Sequence, residues 1–197
     1  PVKSGLQSEN GEVTIPDNFG TITTYDTFSG DYSIELTVTV NQTVSGFMFG
    51  VTSGEASPCM WRVSDGCLRI HYPGWGQIET PAIPVKNGTK TTMRLDIQGN
   101  TVTTYIDGKK IHTATVPAGE TQGALGIRTA LHEVATYDRL AVIQNGKVIW
   151  EDNFDSADPE KWTFPGIPTP KPAISGTTVI EEYKPVAVKE ISKNGKT

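Results

Sequence analysis

The sequence predicts an all-β protein, an antiparallel β-sandwich with almost no helix. Apolar and polar residues alternate along "DYSIELTVTV", which is typical of a strand with one buried and one solvated face. The apolar set there is Tyr32, Ile34, Leu36, Val38 and Val40. No stretch has the apolar spacing of an amphipathic helix of three turns.

The same alternation recurs in Phe47 to Val51, in Met93 to Ile97 and in Val102 to Ile106, so these segments are also predicted strands. Three dipeptides between strand-like arms predict tight hairpins. We expect type I′ turns there, because asparagine, aspartate and glycine tolerate the positive φ that both central residues need. The dipeptides are Asp65-Gly66, Asp107-Gly108 and Asn145-Gly146.

Composition restricts the function classes. The chain has 197 residues and a net charge of −5, and no run of lysine or arginine marks a nucleic-acid or anionic-membrane surface. No apolar stretch reaches the ~20 residues that span a bilayer. Two cysteines and three scattered histidines do not have the spacing of a zinc site. We therefore expect neither nucleic acid nor membrane as a partner.

The segment "CMWRVSDGCLRIHYPGWG" is predicted to be a hairpin whose register follows from its turn. With Asp65-Gly66 as the turn, Met60 faces His71 and Arg62 faces Arg69. One side of the hairpin is apolar and is predicted core. Its residues are Cys59, Trp61, Val63, Leu68, Ile70 and Tyr72. Cys59 and Cys67 lie on opposite sides and roughly 16 Å apart along the ladder, so we expect two reduced thiols.

The other side of the hairpin carries the candidate carbohydrate-binding residues. Arg62, Arg69 and His71 form a polar row that either binds sugar hydroxyls or is an ordinary solvated strand face. Trp75 follows in the loop "YPGWGQ", where no strand period directs it inward. It is either an exposed platform for a sugar ring or a residue folded back to plug the loop.

Catalytic motifs are absent from the sequence. Glycosidases need two carboxyl groups about 5 to 10 Å apart, and the E-x-D-x-x-E string of sandwich-fold glucanases does not occur. No catalytic residue is predicted. The densest acid cluster supplies candidate calcium ligands, Asp152, Asp155 and Asp158, although a solvated turn explains the same cluster without a metal. No other cofactor is expected.

The composition changes from Phe154 onward, and "FPGIPTPKP", residues 164–172, places four prolines in nine residues. We predict a sandwich domain over residues 1–155. Residues 156–197 are predicted to be a proline-rich linker and the first strand or strands of a following domain.

Two resemblances extend this interpretation. The segments "SGDYSIELTVTV", "TTYIDGKKIHT" and "GALGIRTALHEVATYDRLAVIQNGKVIWEDNFD" resemble a concanavalin A-like (laminin G-like) jelly-roll domain over about residues 5–155. The segment from Phe154 to Val186 resembles the part of bacterial α-L-rhamnosidases that precedes their catalytic region. Its matching residues are Phe154, Asp155, Trp162, Ile174, Glu181, Lys184, Pro185 and Val186.

The second resemblance implies a non-catalytic accessory domain of an α-L-rhamnosidase-like glycoside hydrolase. The implied partners are a plant-type oligosaccharide or polysaccharide and the catalytic domain of the same polypeptide. The implied location is extracytoplasmic: periplasmic, cell-surface or secreted. Two alternatives stay open: a glycoside hydrolase of concanavalin A-like fold in its own right, and a structural spacer that packs on the catalytic barrel.

Overall fold

The computed structural model describes residues 7–9, 11–15, 20–52, 58–74, 78–130, 132–155, 160–163 and 181–182. All of the regular secondary structure in these ranges is β-strand, which confirms the predicted all-β class. The strands are β1 Gln7–Glu9, β2 Glu12–Ile15, β3 Gly20–Phe28, β4 Tyr32–Gln42, β5 Val44–Val51, β6 Cys59–Ser64, β7 Cys67–His71, β8 Ile78–Glu79, β9 Lys90–Gln98, β10 Thr101–Ile106, β11 Lys109–Thr115, β12 Gly123–Thr129, β13 Val134–Gln144, β14 Lys147–Asp152, β15 Trp162–Thr163 and β16 Glu181–Glu182. No helix long and apolar enough to cross a membrane occurs in the described ranges.

The strands form two antiparallel sheets that pack face to face. The nine-stranded sheet has the order β1-β2-β13-β4-β9-β10-β11, with β14 paired to β13 and β16 paired to β14. The seven-stranded sheet has the order β15-β3-β12-β5-β6-β7-β8. Every strand pair that the structure describes is antiparallel, as expected for a sandwich built from hairpins and longer crossovers.

The core between the sheets consists of the inward residues that the alternation predicts. On β4, Tyr32, Ile34, Leu36, Val38 and Val40 are all buried. Trp61 of β6 is fully buried, as predicted, and its indole Nε1 donates to Thr104 Oγ1 of the opposite sheet at 2.9 Å. That bond satisfies the polar atom of a large core side chain, which would otherwise carry a desolvation cost of about 1–3 kcal/mol.

The predicted hairpin register over residues 59–72 is confirmed. Met60 pairs with His71, Arg62 with Arg69 and Ser64 with Cys67. The two thiols form no disulfide: Cys59 lies in the core and Cys67 lies on the other side of the hairpin.

The turn prediction is right at two of its three sites. Asp107 and Asn145 have φ of 48° and 52°, and the glycines that follow them have φ of 76° and 72°, as a type I′ turn requires. At the third site Gly66 has a positive φ of 69° but Asp65 does not, so that turn is not type I′. Two turn residues still connect the paired strands, so the predicted register is unaffected.

The sandwich includes residues that follow the predicted boundary at 155. Trp162 of β15 pairs with Thr24 of β3, is 2% exposed and packs on Trp150 and Phe154. Farther along, Glu181 pairs with Val148 of β14. A linker and a following domain within 156–197 stay a prediction, since most of that segment lies outside the described residues.

On one side of the sandwich, side chains from an edge strand of each sheet contact each other. Glu79 of β8, at the edge of the seven-stranded sheet, accepts a hydrogen bond from the Tyr72 hydroxyl. Its second carboxylate oxygen lies 2.6 Å from Nε2 of His112 on β11, at the edge of the nine-stranded sheet. This Tyr72–Glu79–His112 contact links the two sheets outside the apolar core.

Candidate functional site: the outer face of the seven-stranded sheet

The outer face of the seven-stranded sheet carries two parallel rows of side chains. The guanidinium row crosses β3, β12, β5, β6 and β7 through residues that are directly opposite one another. It consists of Thr21, Arg128, Gly46, Arg62 and Arg69. Strands lie about 4.8 Å apart, so the three arginines span roughly 14 Å across the sheet.

The methionine row lies two residues farther along each strand, about 7 Å from the first row. It extends from the short strand β15 to the edge strand β8. Its residues are Thr163, Thr23, Gly126, Met48, Met60, His71 and Ile78. The two rows together with Glu133 are called the cationic face below.

The two glycines of this face make room for the two methionines. A Cβ atom at Gly126 would lie 2.6 Å from Cε of Met48, and one at Gly46 would lie 3.2 Å from Sδ of Met60. Met48 and Met60 are buried, although they lie on the outer side of the sheet. The Arg128 Nη1 atom lies 3.8 Å from Sδ of Met60, so a charged side chain rests on this thioether layer.

Glu133 reaches the face from the loop between β12 and β13. Its side chain is 4% exposed and forms an ion pair with Arg62, whose side chain is 15% exposed. The other carboxylate oxygen accepts the backbone N–H of Ala130 at 2.7 Å. Both oxygens are therefore engaged, and the carboxylate compensates one of the three guanidinium charges.

Arg69 and Ile78 are the exposed members on the β7–β8 side of the face. Arg69 forms no ion pair or hydrogen bond with any described residue. Ile78 pairs with His71 across the ladder and exposes 54% of its surface, an unusual value for a large apolar side chain within a strand. The guanidinium group of Arg69 and the apolar side chain of Ile78 therefore lie near each other, and both are exposed to solvent.

His71 is buried within the same face. The pKa of His71 is lowered, first by desolvation and then by the positive charges of Arg62, Arg128 and Arg69, against which Glu133 acts weakly. Its imidazole is neutral at pH 7. In that state one ring nitrogen is a donor and the other an acceptor. Burial and the neighbouring arginines also lower the pKa of Arg62, although Glu133 opposes this change.

The structure thus places three of the four predicted binding residues on one face: Arg62, Arg69 and His71. The expectation of a solvated row is corrected in one respect, because Arg69 is exposed, whereas Arg62 is half-buried and His71 is 6% exposed. Trp75 lies outside the described residues. Sequence reasoning missed Arg128 and Glu133. The inward Leu125 and Ile127 identify Arg128 as outward by alternation, but no local signal identifies Glu133.

The candidate calcium ligands do not form a metal site in the described part of the chain. Asp152 is 4% exposed and uses its carboxylate to accept Trp162 Nε1 at 2.5 Å and the Phe154 N–H at 2.9 Å. Asp155 is described and exposed, and Asp158 lies outside the described residues. Among those residues, no group of three or more His, Cys, Asp or Glu side chains is placed to hold an ion.

Comparison by sequence gives no relative: no protein-family profile matches the chain, and no curated protein sequence matches it. Comparison by structure gives many. A carbohydrate-binding module from Bacillus subtilis has a TM-score of 0.56 at 12% identity, covering 71% of this chain and 91% of the other. A putative glycosyl hydrolase from Parabacteroides distasonis has a TM-score of 0.54 at 12% identity, covering 71% and 82%. Sheep galectin-11, solved in complex with glycerol, has a TM-score of 0.51 at 11% identity, covering 66% and 99%.

These similarities concern the fold. The chain is a concanavalin A-like jelly-roll sandwich with two antiparallel sheets, as the sequence predicts. The structural neighbours include proteins that bind saccharides and proteins named as glycoside hydrolases, so the fold is shared between binding and catalytic classes. The function of this chain must be argued from its own side chains.

Proposed function

We propose that this chain is a non-catalytic carbohydrate-binding domain and that its saccharide lies on the cationic face. The observation that carries the proposal is the guanidinium row: three arginines at one level across the four strands β12, β5, β6 and β7, beside a histidine and an exposed isoleucine. A sugar offers hydroxyl groups and an apolar ring face together, and this surface offers donors and apolar area together.

The individual contributions are small and require several contacts at once. A net hydrogen bond contributes about 1 kcal/mol, so two or three bonds from the guanidinium groups of Arg69 and Arg128 give about 2–3 kcal/mol. Burial of apolar area on Ile78 adds to this sum. Stacking of the sugar ring on Trp75 adds about 2 kcal/mol for ~80 Å² of covered area. After the ordering costs, millimolar affinity is the most to expect, since a dissociation constant of 1 mM corresponds to about −4.1 kcal/mol.

The absence of a carboxyl pair from this face supports a binding rather than a catalytic role. The described residues of the two rows include no aspartate or glutamate. Glu133 adjoins the face, but Arg62 and the Ala130 N–H engage both of its oxygens. Hydrolysis of a glycosidic bond requires an acid together with a base or nucleophile, and this arrangement offers neither of them unengaged.

The wider context of the domain is part of the same proposal. The sequence resemblance over Phe154 to Val186 supports an accessory domain of an α-L-rhamnosidase-like glycoside hydrolase, located outside the cytoplasm. Plant-type glycans are the corresponding ligands. Mass spectrometry of the native polypeptide from its source would test this context, since a chain that ends near Thr197 contradicts it.

A glycan-array screen followed by a titration monitored by amide chemical shifts tests the proposal. We expect weak binding, with shifts that cluster on residues 60–71 and 126–128. Arg69→Ala should weaken it and Trp75→Ala should abolish it. Lys110→Ala is the matched control, since Lys110 is exposed on β11 of the other sheet. Shifts confined to the nine-stranded sheet would contradict the site, and no binding to any glycan would favour the structural spacer. Turnover of a chromogenic glycoside would contradict the non-catalytic role.

A further inference from the structure

We infer that the saccharide bound on the cationic face is acidic, carrying a carboxylate or a sulfate ester. This inference rests on the proposed carbohydrate-binding function and names the ligand class. The observation behind it is the charge of the face: its described side chains include three guanidinium groups and one carboxylate. The chain as a whole has a net charge of −5, so the face is opposite in sign to the rest of the protein.

The positions of Arg62 and Arg69 have an electrostatic cost. The two residues are directly opposite each other on neighbouring strands, where like charges destabilise a sheet. Glu133 offsets Arg62, but Arg69 has no ion-pair partner among the described residues. A neutral sugar would leave this repulsion unchanged, whereas an anionic group between β6 and β7 would remove it.

The rest of the chain shows how its arginines are paired where no ligand is involved. On the outer face of the nine-stranded sheet, Arg94 Nε lies 2.6 Å from Asp96. Arg139 lies 2.7 Å from Glu35 and 2.5 Å from Glu151. Arg69 departs from this pattern and is the exposed arginine of its row. The guanidinium fork binds a carboxylate or sulfate through two parallel hydrogen bonds, which an ammonium group cannot reproduce.

The span of the guanidinium row also indicates the length of the ligand. Arg128 and Arg69 lie at the two ends of the guanidinium row, about 14 Å apart at ~4.8 Å per strand. A single monosaccharide does not span this distance, so an oligosaccharide fits the row best. Ile78 beside His71 then contacts the ring between or beyond the acidic groups.

The decisive experiment compares an acidic oligosaccharide with its neutral ester, which has the same sugar rings, and adds a sulfated oligosaccharide of a different ring type to test the nature of the anion. Trigalacturonate, its fully methyl-esterified form and a sulfated carrageenan tetrasaccharide are titrated into the protein, and amide shifts are recorded at 20 and 200 mM NaCl. We expect trigalacturonate to bind about tenfold more tightly than its methyl ester. The difference should shrink at the higher salt concentration, because exposed charges are screened.

The variants separate charge from shape. Arg69→Ala should lose most of the preference for the acid over the ester, Arg69→Lys should recover part of it, and Lys110→Ala should retain it. Equal affinities for acid and ester overturn the acidic ligand while leaving carbohydrate binding intact. Binding of the sulfated ligand without trigalacturonate assigns the anion as sulfate. No shifts with any of the three sugars, or with the glycan-array ligands above, overturn both inferences.

Discussion

The outer faces of the two sheets differ in how the charges of their arginines are compensated. On the nine-stranded sheet each described arginine has a carboxylate partner, and threonines on adjacent strands form hydrogen-bonded pairs such as Thr37 with Thr92. On the seven-stranded sheet Glu133 pairs with Arg62, the exposed Arg69 has no ion-pair partner among the described residues, and glycines and methionines occupy the centre of the face. The arginines of the first face are paired with described carboxylates, whereas Arg69 on the second face has no such partner among the described residues.

This difference separates residues that hold the fold from residues that cost stability. A face that satisfies itself should lose stability when one member is removed. An exposed residue without an ion-pair partner among the described residues, such as Arg69, should cost little when it is removed, because it makes no such contact that stabilises the folded state. Four measurements of stability test the distinction, from the largest expected effect to the smallest.

The largest effect is expected for Arg139→Met on the nine-stranded sheet. The change leaves Glu35, which is 4% exposed, and Glu151 without their shared cation. We expect the free energy of unfolding in urea to fall by about 2–3 kcal/mol, at the low end for a buried pair because the Arg139 side chain is 27% exposed. Lys110→Met, at the edge of the same sheet, is the control. A loss below about 0.5 kcal/mol would show that this face is not internally compensated.

A smaller effect is expected for Glu133→Gln on the cationic face. The amide keeps the shape of the side chain but leaves Arg62, which is 15% exposed, without its countercharge. The free energy of unfolding should fall by about 1–2 kcal/mol. Glu12→Gln removes the exposed pair with Lys90 and should cost less than about 0.5 kcal/mol. Equal losses for the two variants would mean that burial of the Arg62–Glu133 pair has no energetic consequence.

The pH dependence of stability should depend on His71. Because the folded-state pKa of His71 is lowered, the unfolded chain binds the proton first as the pH falls. Stability is therefore complete above about pH 6.5 and is lost below it, by up to ~1.4 kcal/mol per pH unit until the folded-state pKa is reached. The groups facing His71 are Arg62, Arg69, Arg128 and Glu133.

Thermal denaturation of the wild type and of His71→Gln between pH 7.5 and 5 measures this effect. The variant should show a shallower decline of Tm, and near-ultraviolet circular dichroism at pH 7.5 checks that its packing is retained. Parallel declines would mean that His71 does not contribute. An anionic saccharide should reduce the decline, since it favours the protonated imidazole.

The smallest effect is expected for Arg69→Ala. The side chain is exposed and has no ion pair with a described residue, and its removal relieves repulsion with Arg62. Unfolding free energy should stay within about 0.5 kcal/mol of the wild type or rise slightly. A loss near that of Arg139→Met would show that Arg69 holds the fold, and the contrast between the two faces would disappear.

The sequence predicts the sides of the strands well because side-chain direction has a period of two. Trp61 in the core and the pairing of Arg62 with Arg69 both follow from one turn position and this period. The turn type at Asp65 was wrong, while the pairing that it implied was right. Register depends on the number of turn residues, and the exact φ of Asp65 does not change that number.

Burial on the outer side and contacts from distant loops could not be predicted in this way. Alternation places His71 outward but does not say that its ring is covered. Glu133 lies 71 positions from Arg62 in sequence and follows His132, whose φ of 65° belongs to an irregular turn. Such a contact depends on how sheet strands that are far apart in sequence are ordered, and no local pattern encodes that order.

Under the proposed function, the layer formed by Met48 and Met60 over Gly126 and Gly46 would allow the ligand specificity of the cationic face to change without a change of backbone. The shape of the face comes from these four residues, while its charge comes from the arginines around them. Exchange of Arg69 or Arg128 for a neutral side chain would redirect the same surface to uncharged glycans. Related chains should therefore keep the small and flexible residues in place and differ at the arginine positions, each set suited to a different polysaccharide.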